Sequence, residues 1–528
     1  MDVPVSTAAV LPTVLFLALS TAVVLWIRRA YPRNLPPGPR ASLLGWGYHR
    51  HLIPRERPWL RLAEMGDEYA KTGMYTLWTG PKPTIVVTSA RVAADLLDRR
   101  SSKYSSRPRF VVAGELQTGG DALLFLPYGP KWRNQRKIYH GALMEKRADE
   151  YRTLQEWEAK RACWDFLNNK DPMGWDKHIE RFAASSVVAI AYGRRVDDVK
   201  VGFVQSVIKR MEDVGKTNLP GKQVLDSFPL LQSLPEFLTP YKKTYRAARK
   251  ESTSFWMSLT DTVKERMEKG TAAPSFTKDL LERREELGIS DAEFGLLTGG
   301  IFGAGVETTS GTLIAFLLAM VTHPEVQRKA QDELDRVVGP SRSPTWEDES
   351  SLPYCRAVLQ ETLRWRPVAV LGGTPHASTE DDIYEGFFIP KGSTILANTW
   401  AIHRDPVYFP EPDVFRPERY LEDERETGVP AYPQKAGHSA FGWGRRICPG
   451  MHVAERGVFI LIVHLLHHFT LSTPAGSPKP DINAFTDGFN SRAEPFPLAI
   501  TLRGGAEKAK LVEREKDEAW EALQAYEV

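Results

Sequence analysis

The residues best placed to do chemistry form the stretch Phe441-Gly442-Trp443-Gly444-Arg445-Arg446-Ile447-Cys448-Pro449-Gly450. A single cysteine precedes Pro449, and a helical apolar pattern follows through Val453, Val458, Ile460, Leu461, Leu465 and Leu466. Proline favours the first helical turn, so the spacing predicts Cys448 at or beside a helix N-terminus. Unpaired N–H groups and the positive end of the helix dipole would favour a thiolate there, and Arg445 and Arg446 add positive charge. Gly442, Gly444 and Gly450 let the backbone turn sharply and lie against something flat. A thiolate in this setting could be a zinc ligand, a nucleophile or the axial ligand of a haem. Structural zinc needs about four ligands at short spacing, and no second cysteine is near. A cysteine nucleophile needs a histidine base; His438 and His452 are close in sequence, but nothing orients either. Haem suits the set better: one soft ligand, glycines against a macrocycle, an arginine for a propionate. The plain alternative is a buried, inert cysteine, since free cysteines are among the most buried residues.

Three further constellations carry chemical potential. Gly303-Ala304-Gly305-Val306-Glu307-Thr308-Thr309 lies in the middle of a helical apolar run that begins at Ser290-Asp291-Ala292-Glu293, a capping box, and continues to Val321 before His323-Pro324. Such a helix is roughly 45–50 Å long. Glycines inside it cost about 1 kcal/mol each against alanine, so Gly299, Gly300, Gly303 and Gly305 mark either close helix packing or room for a ligand. Glu307 and Thr308 form an acid–alcohol pair suited to moving protons in a dry site. Trp132 and Arg136, four apart on a predicted helix after Gly129-Pro130, are donors on one face that could hold a carboxylate, or simply stack at the surface. Glu361 and Arg364 share a helical face, and His376 stands alone after Gly373-Thr374-Pro375.

Together these motifs resemble one family, the haem-thiolate monooxygenases or cytochromes P-450. Phe441, Gly444, Arg446, Cys448 and Gly450 match its F-x-x-G-x-R-x-C-x-G loop. Ala304 to Thr309 matches A/G-G-x-D/E-T-T, Trp132 and Arg136 match W-x-x-x-R, and Glu361 to Arg364 matches E-x-x-R. Pro417-Glu418-Arg419-Tyr420 is similar to P-E-R-F, with tyrosine for phenylalanine. The resemblance covers nearly the whole chain, from the hinge near residue 35 to the final hairpin. It implies a mainly α haem-thiolate fold with small β regions, and haem b whose iron is ligated by Cys448. Phe441, Arg446, Gly450, Trp132, Arg136 and His376 would contact the haem. Thr308 and Glu307 would deliver protons. Phe110, Val111, Ala304, Val370, Leu371 and Phe489 would line the distal pocket, and Arg419 would join Glu361 and Arg364 in a structural network. Electrons would come from NADPH through a separate flavin reductase docking near Lys131, Arg133, Lys137 and Arg445. The substrate would be a lipophilic small molecule, as in fungal secondary metabolism. Two other activities remain conceivable on the same haem: an isomerase or lyase using no O₂, and a catalytically silent haem-binding membrane protein.

The rest of the chain must position these groups. With 42% hydrophobic and 26% charged residues in 528, most of it can fold around a core. A net charge of +3 argues against a nucleic-acid coat. Cys163, Cys355 and Cys448 are too far apart for a disulfide framework, which fits a reducing compartment. The uncharged run Ala8 to Ile27, followed by Arg28, Arg29 and Arg33, reads as a single-pass anchor with the body on the cytoplasmic side of the endoplasmic reticulum membrane. The expected organisation is residues 1–28 anchor, 29–55 proline-rich linker with Leu35-Pro36-Pro37-Gly38-Pro39-Arg40 as its hinge, 56–505 catalytic domain and 506–528 charged tail, a peripheral helix or frayed end. Met74 to Leu77 and Thr84 to Thr88 read as a hairpin. Ser101 to Gly120 reads as an irregular, functional loop. Asp382 to Ile389 with Ser393 to Asn398, and the two halves of Phe485 to Ile500, read as further hairpins. Pro220, Pro229, Pro235 and Pro240 interrupt an otherwise helical middle, and Val224 to Leu231 resembles the membrane-facing region of anchored relatives.

Overall fold

A computed structural model describes residue 21 and residues 34–39, 48–80, 82–200, 202–217, 223–227 and 229–526. The expected anchor and the arginines after it lie outside the described residues, apart from Thr21. The hinge is described from Leu35 to Pro39 and is docked: Thr76 N–H donates to the Pro37 carbonyl at 2.7 Å. A Cβ on Gly38 would sit 2.1 Å from the Thr76 carbonyl oxygen, so this contact requires glycine.

Helices make most of the structure. The expected long helix runs Asp291–Thr322, and most of its residues are buried. Among the described residues it is the one helix long and apolar enough to cross a membrane, yet it is the core of the fold, packed on the Asp176–Tyr192, Tyr241–Glu268 and Met451–His468 helices. Its capping box is only half made. Ser290 Oγ accepts from Glu293 N–H at 3.2 Å, but the Glu293 carboxylate turns to Gln135 Nε2 at 2.9 Å. The glycines of this helix answer to packing. Added Cβ atoms would meet Trp256 at 2.4 Å from Gly299, the Tyr139 hydroxyl at 2.3 Å from Gly300, Met211 Sδ at 2.5 Å from Gly303 and Val187 at 2.7 Å from Gly305. They bring neighbouring helices close; none of these contacts reserves space for a ligand.

The small β region is a four-stranded sheet in the order β1 (Met74–Trp78), β2 (Pro83–Val87), β6 (Thr394–Ala397), β3 (His376–Ala377). The first hairpin is as expected, with Met74 opposite Val87. The second is not. Asp382–Tyr384 (β4) folds back on Phe387–Ile389 (β5) across Glu385-Gly386, while β6 leaves to pair parallel with β2 and antiparallel with β3. Gly386 has a positive φ, so the tight turn falls there, ahead of Pro390-Lys391-Gly392. The final hairpin is corrected too. Ala499–Leu502 (β8) pairs with Phe469–Ser472 (β7), and within 485–500 the described pairing is one bridge, Phe485 to Ala493.

The stretch from Ser101 to Gly120 is more ordered than its composition predicts. Ser101–Tyr104 is helical and Val111–Gln117 is a π-helical turn, a rare geometry often found at functional sites. Asp226 Oδ1 accepts from Val111 N–H at 2.7 Å and Val112 N–H at 3.1 Å, covering its open amino end. The charged C-terminus forms the helix Gly505–Leu523, which buries Leu511, Val512, Ala519 and Leu523 and packs on the Arg152–Leu167 helix.

Glu361, Arg364 and Arg419 form the expected buried network. Arg364 donates twice to the Glu361 carboxylate at 2.7 Å, and Arg419 Nε reaches it at 3.3 Å. Glu361 and Arg364 are fully buried, so losing either partner would strand a charge at a cost of about 3–5 kcal/mol. Arg364 also donates to the His403 and Pro412 carbonyls, tying its helix to the segment that leads into the cysteine loop.

Candidate active site

The cysteine loop is closed by Cys448 N–H donating to the Phe441 carbonyl at 2.8 Å. Gly444 has φ of 55°, and a Cβ there would lie 2.0 Å from the Leu97 carbonyl oxygen, so the loop can sit on the Ala94–Arg99 helical turn only with glycine. The helix that follows begins at Met451 with Gly450 as its cap. Cys448 and Pro449 therefore stand just before it, one step further out than the proline predicts. Burial pushes the Cys448 thiol up; the Gly450 N–H and the nearby Arg136 oppose this without winning. The helix end alone therefore does not ionise this thiol, whereas coordination to a metal ion would.

Around the loop gather cations that pair with no carboxylate among the described residues. Arg446 donates to the Ser105 and Leu126 carbonyls at 2.7 Å each, with its guanidinium 4.4 Å from the Trp132 ring centroid. Arg107 donates to the Pro375 carbonyl at 3.0 Å and the Leu124 carbonyl at 3.2 Å. His376 Nδ1 lies 2.8 Å from the Tyr104 carbonyl. Arg136 and Trp132 Nε1 have no hydrogen-bond partner among the described residues. Burial, with Arg136 beside it, lowers Arg446 to about 9. Burial and Arg446 likewise push Arg107 well down, and burial with Arg107 does the same to His376. Among the described residues no carboxylate side chain pairs with Arg107, Arg136, Arg446 or His376, although buried charges are normally paired. A flat apolar group carrying two carboxylates, with a soft-ligand metal at its centre, fits this donor set. That is the description of haem. Arg107 escaped sequence reasoning because its partners are backbone carbonyls, of Leu124 and of the distant Thr374 and Pro375, which leave no pattern in the chain.

On the long helix Thr308 Oγ1 donates to the Ala304 carbonyl at 2.7 Å, without breaking the helix. Ala304 is exposed, although the helix around it is largely buried. Glu307 points elsewhere, into a cleft of about 280 Å³ lined also by Val306, Val368, Phe489 and Arg492. Its carboxylate accepts from Asn490 Nδ2 at 3.0 Å, and burial raises its pKa. The expected wall residues divide. Phe489 lines this cleft. Phe110 packs against Phe125 with the rings tilted and their centroids 5.3 Å apart, and Val111 is fully buried in the π-helical turn. Val370 and Leu371 pack beneath the sheet with Trp59, Leu62 and Tyr75, leaving Val368 of that segment on the cleft.

Of the basic face, Arg133, Lys137 and Arg445 are exposed. Lys131 is paired with Asp121 and, at 3.7 Å, with Glu293, so it contributes less free charge than its position predicts.

Comparison with known proteins agrees with this geometry. A family model described as Cytochrome P450 matches residues 36–499. Cytochrome P450 monooxygenase 58 of Postia placenta is 37% identical over 96% of this chain and 94% of its own. Cytochrome P450 monooxygenase virE of Hypocrea virens is 35% identical over 90% of this chain and 87% of its own. A zebra fish cytochrome P450 solved with progesterone superimposes with a TM-score of 0.68 and 25% identity, covering 84% of this chain and 99% of the other. With the cysteine loop, the unpaired cations and the acid–alcohol helix all present, the chain belongs to the cytochrome P450 family of haem-dependent monooxygenases.

Proposed function

We propose that the protein is a membrane-anchored monooxygenase that inserts one atom of O₂ into a lipophilic small molecule, with the second atom leaving as water. Cys448 is the thiolate ligand, and Arg107, Arg136, Arg446, Trp132 and His376 hold the haem carboxylates. When bound, the haem supplies reductive activation of O₂, which thiolate ligation favours. The chain's own contribution is to hold and move protons. Burial keeps a proton on Glu307 at higher pH than usual, and Asn490 fixes its orientation. Thr308 commits its hydrogen to Ala304, leaving its oxygen lone pairs free to accept from a proton donor.

This acid and alcohol on consecutive residues of the long helix are the observation that carries the reading, because an isomerase or lyase needs no proton delivery to oxygen. Ile208, Met211, Val306, Val368 and Phe489 give the cleft an apolar side, facing a polar side that holds Glu180, Glu212, Glu307, Asn490 and Arg492. Lipid-side entry is supported by the uncharged run Ala8 to Ile27 and by the exposed Val224, Leu231, Leu234, Phe237 and Leu238, with Phe237 82% exposed. Arg133, Lys137 and Arg445 offer the reductase a basic face. The fungal origin of the relatives supports a place in secondary metabolism.

The test is turnover in membranes with a flavin reductase, NADPH and isotopically labelled O₂. One labelled oxygen per product is expected. Turnover without NADPH or O₂ would make the enzyme an isomerase or lyase, and intact CO binding without turnover of lipophilic metabolites would favour a silent haem protein.

A further inference from the structure

We propose that Cys163, His464 and His468 form a second metal site, distinct from the haem pocket, that takes a thiophilic d¹⁰ cation, Zn²⁺ or Cu⁺. One ring nitrogen of each histidine and the Cys163 sulfur lie within 4.8 Å of one another. Cys163 comes from the Arg152–Leu167 helix. The histidines, four apart, share one face near the end of the Met451–His468 helix. That end is roughly 25 Å along the axis from the cysteine loop. All three side chains are 1% exposed or less.

The hydrogen bonding around the cluster is incomplete in a particular way. Ser343 Oγ donates to Glu515 Oε2 at 2.5 Å, so its lone pairs accept from His468 Nε2 at 2.8 Å. This fixes the proton of His468 on Nε2 and leaves the Nδ1 lone pair bare, and Nδ1 has no partner. His464 makes no well-formed hydrogen bond, with the Pro344 carbonyl as the one polar backbone group near its ring. Cys163 Sγ has no hydrogen-bond partner among the described residues. Buried polar atoms are nearly always satisfied, and unpaired ring nitrogens on two clustered histidines beside an unpaired sulfur call for an occupant. The carboxylate–hydroxyl–imidazole chain from Glu515 is also the outer arrangement that orients a metal-ligating histidine.

Sulfur and imidazole donors select the cation. Thiolate favours Cu⁺ and Zn²⁺ over Mg²⁺ or Ca²⁺. Three ligands suffice for Cu⁺; Zn²⁺ would need a fourth, such as water. Binding converts the Cys163 thiol to a metal-bound thiolate and releases one proton to solvent. The metal would tie the Cys163 helix to the His464 helix and, through Ser343 and Glu515, to the C-terminal Gly505–Leu523 helix.

The experiment is elemental analysis of the full-length holoenzyme purified without chelator, once after growth with added Zn²⁺ and once after exposure to Cu⁺ held by glutathione. About one zinc or copper per haem iron is expected. Cys163→Ala and His464→Leu should each lose it while retaining iron and the CO spectrum of the haem. Should a variant not fold, X-ray absorption of the wild type at the metal edge decides: one sulfur and two nitrogen scatterers support the site. The two growth arms separate zinc from copper. Less than about a tenth of an equivalent in both arms, a metal retained by both variants, or a shell of oxygen scatterers, an adventitious ion only, would overturn the proposal.

Discussion

Arg446 lies over Trp132, its guanidinium carbon 4.4 Å from the ring centroid, joining the cysteine loop to the Pro130–Leu143 helix, and among the described residues no acid pairs with Arg446. The stack orders both donors, yet the charge of Arg446 stays unneutralised inside the protein. Removing it should strand a haem carboxylate. Arg446→Leu is expected to weaken haem affinity by roughly a hundred-fold, read as haem retained per polypeptide in a pyridine haemochrome assay. Wild-type haem retention with unchanged affinity would show that the arginine serves the loop alone.

Glu307 and Thr308 should act on coupling and leave binding intact. Thr308→Ala and Glu307→Gln are expected to keep the haem and substrate-induced spectra, slow product formation by roughly a hundred-fold, and divert NADPH electrons to peroxide. The measurement is the ratio of product and peroxide to NADPH consumed. An unaltered ratio in both variants would remove the pair from proton delivery.

The cleft separates two neighbouring residues by role. Val368→Phe should change the product profile with the CO spectrum intact, because Val368 lines the cleft. Leu371→Phe should cost stability by about 1–3 kcal/mol through overpacking against Trp59 and Tyr75, and leave regiochemistry alone. Product analysis and urea unfolding on both variants decide; the reverse pattern would place Leu371 at the substrate.

Much of this was legible in the sequence, and the residues show why the rest was not. The cysteine loop, Glu361 with Arg364, and the long helix are local patterns whose spacing survives folding. Arg107, Val368 and Asn490 acquire their positions from segments more than a hundred residues away. The periodicity of Asp382 to Asn398 identified strands but could not say that β6 would leave its neighbour for β2. Glycines in the long helix announced close approach without revealing that Trp256, Tyr139, Met211 and Val187 were what approached.

Buried His438 carries a pH dependence. Burial, with Arg356 and Arg364 nearby, lowers its pKa to about 3, against 6.5 for a free imidazole. A depressed histidine contributes stability that is present above 6.5 and lost as pH falls towards 3. At pH 5 the loss is about 2 kcal/mol. His438→Gln, which takes up no proton, should show a correspondingly smaller fall in unfolding free energy between pH 7 and pH 5. Equal falls in variant and wild type would mean that His438 is protonated without penalty.

The central claim is that Cys448 holds the haem iron as a thiolate, and the dithionite-reduced, CO-bound absorption spectrum tests it most directly. The wild type should show the red-shifted Soret band of thiolate ligation, and Cys448→Ala should lose it while Cys163→Ala and Cys355→Ala keep it. A thiolate-type band surviving in Cys448→Ala, or absent from the haem-loaded wild type, would contradict the account.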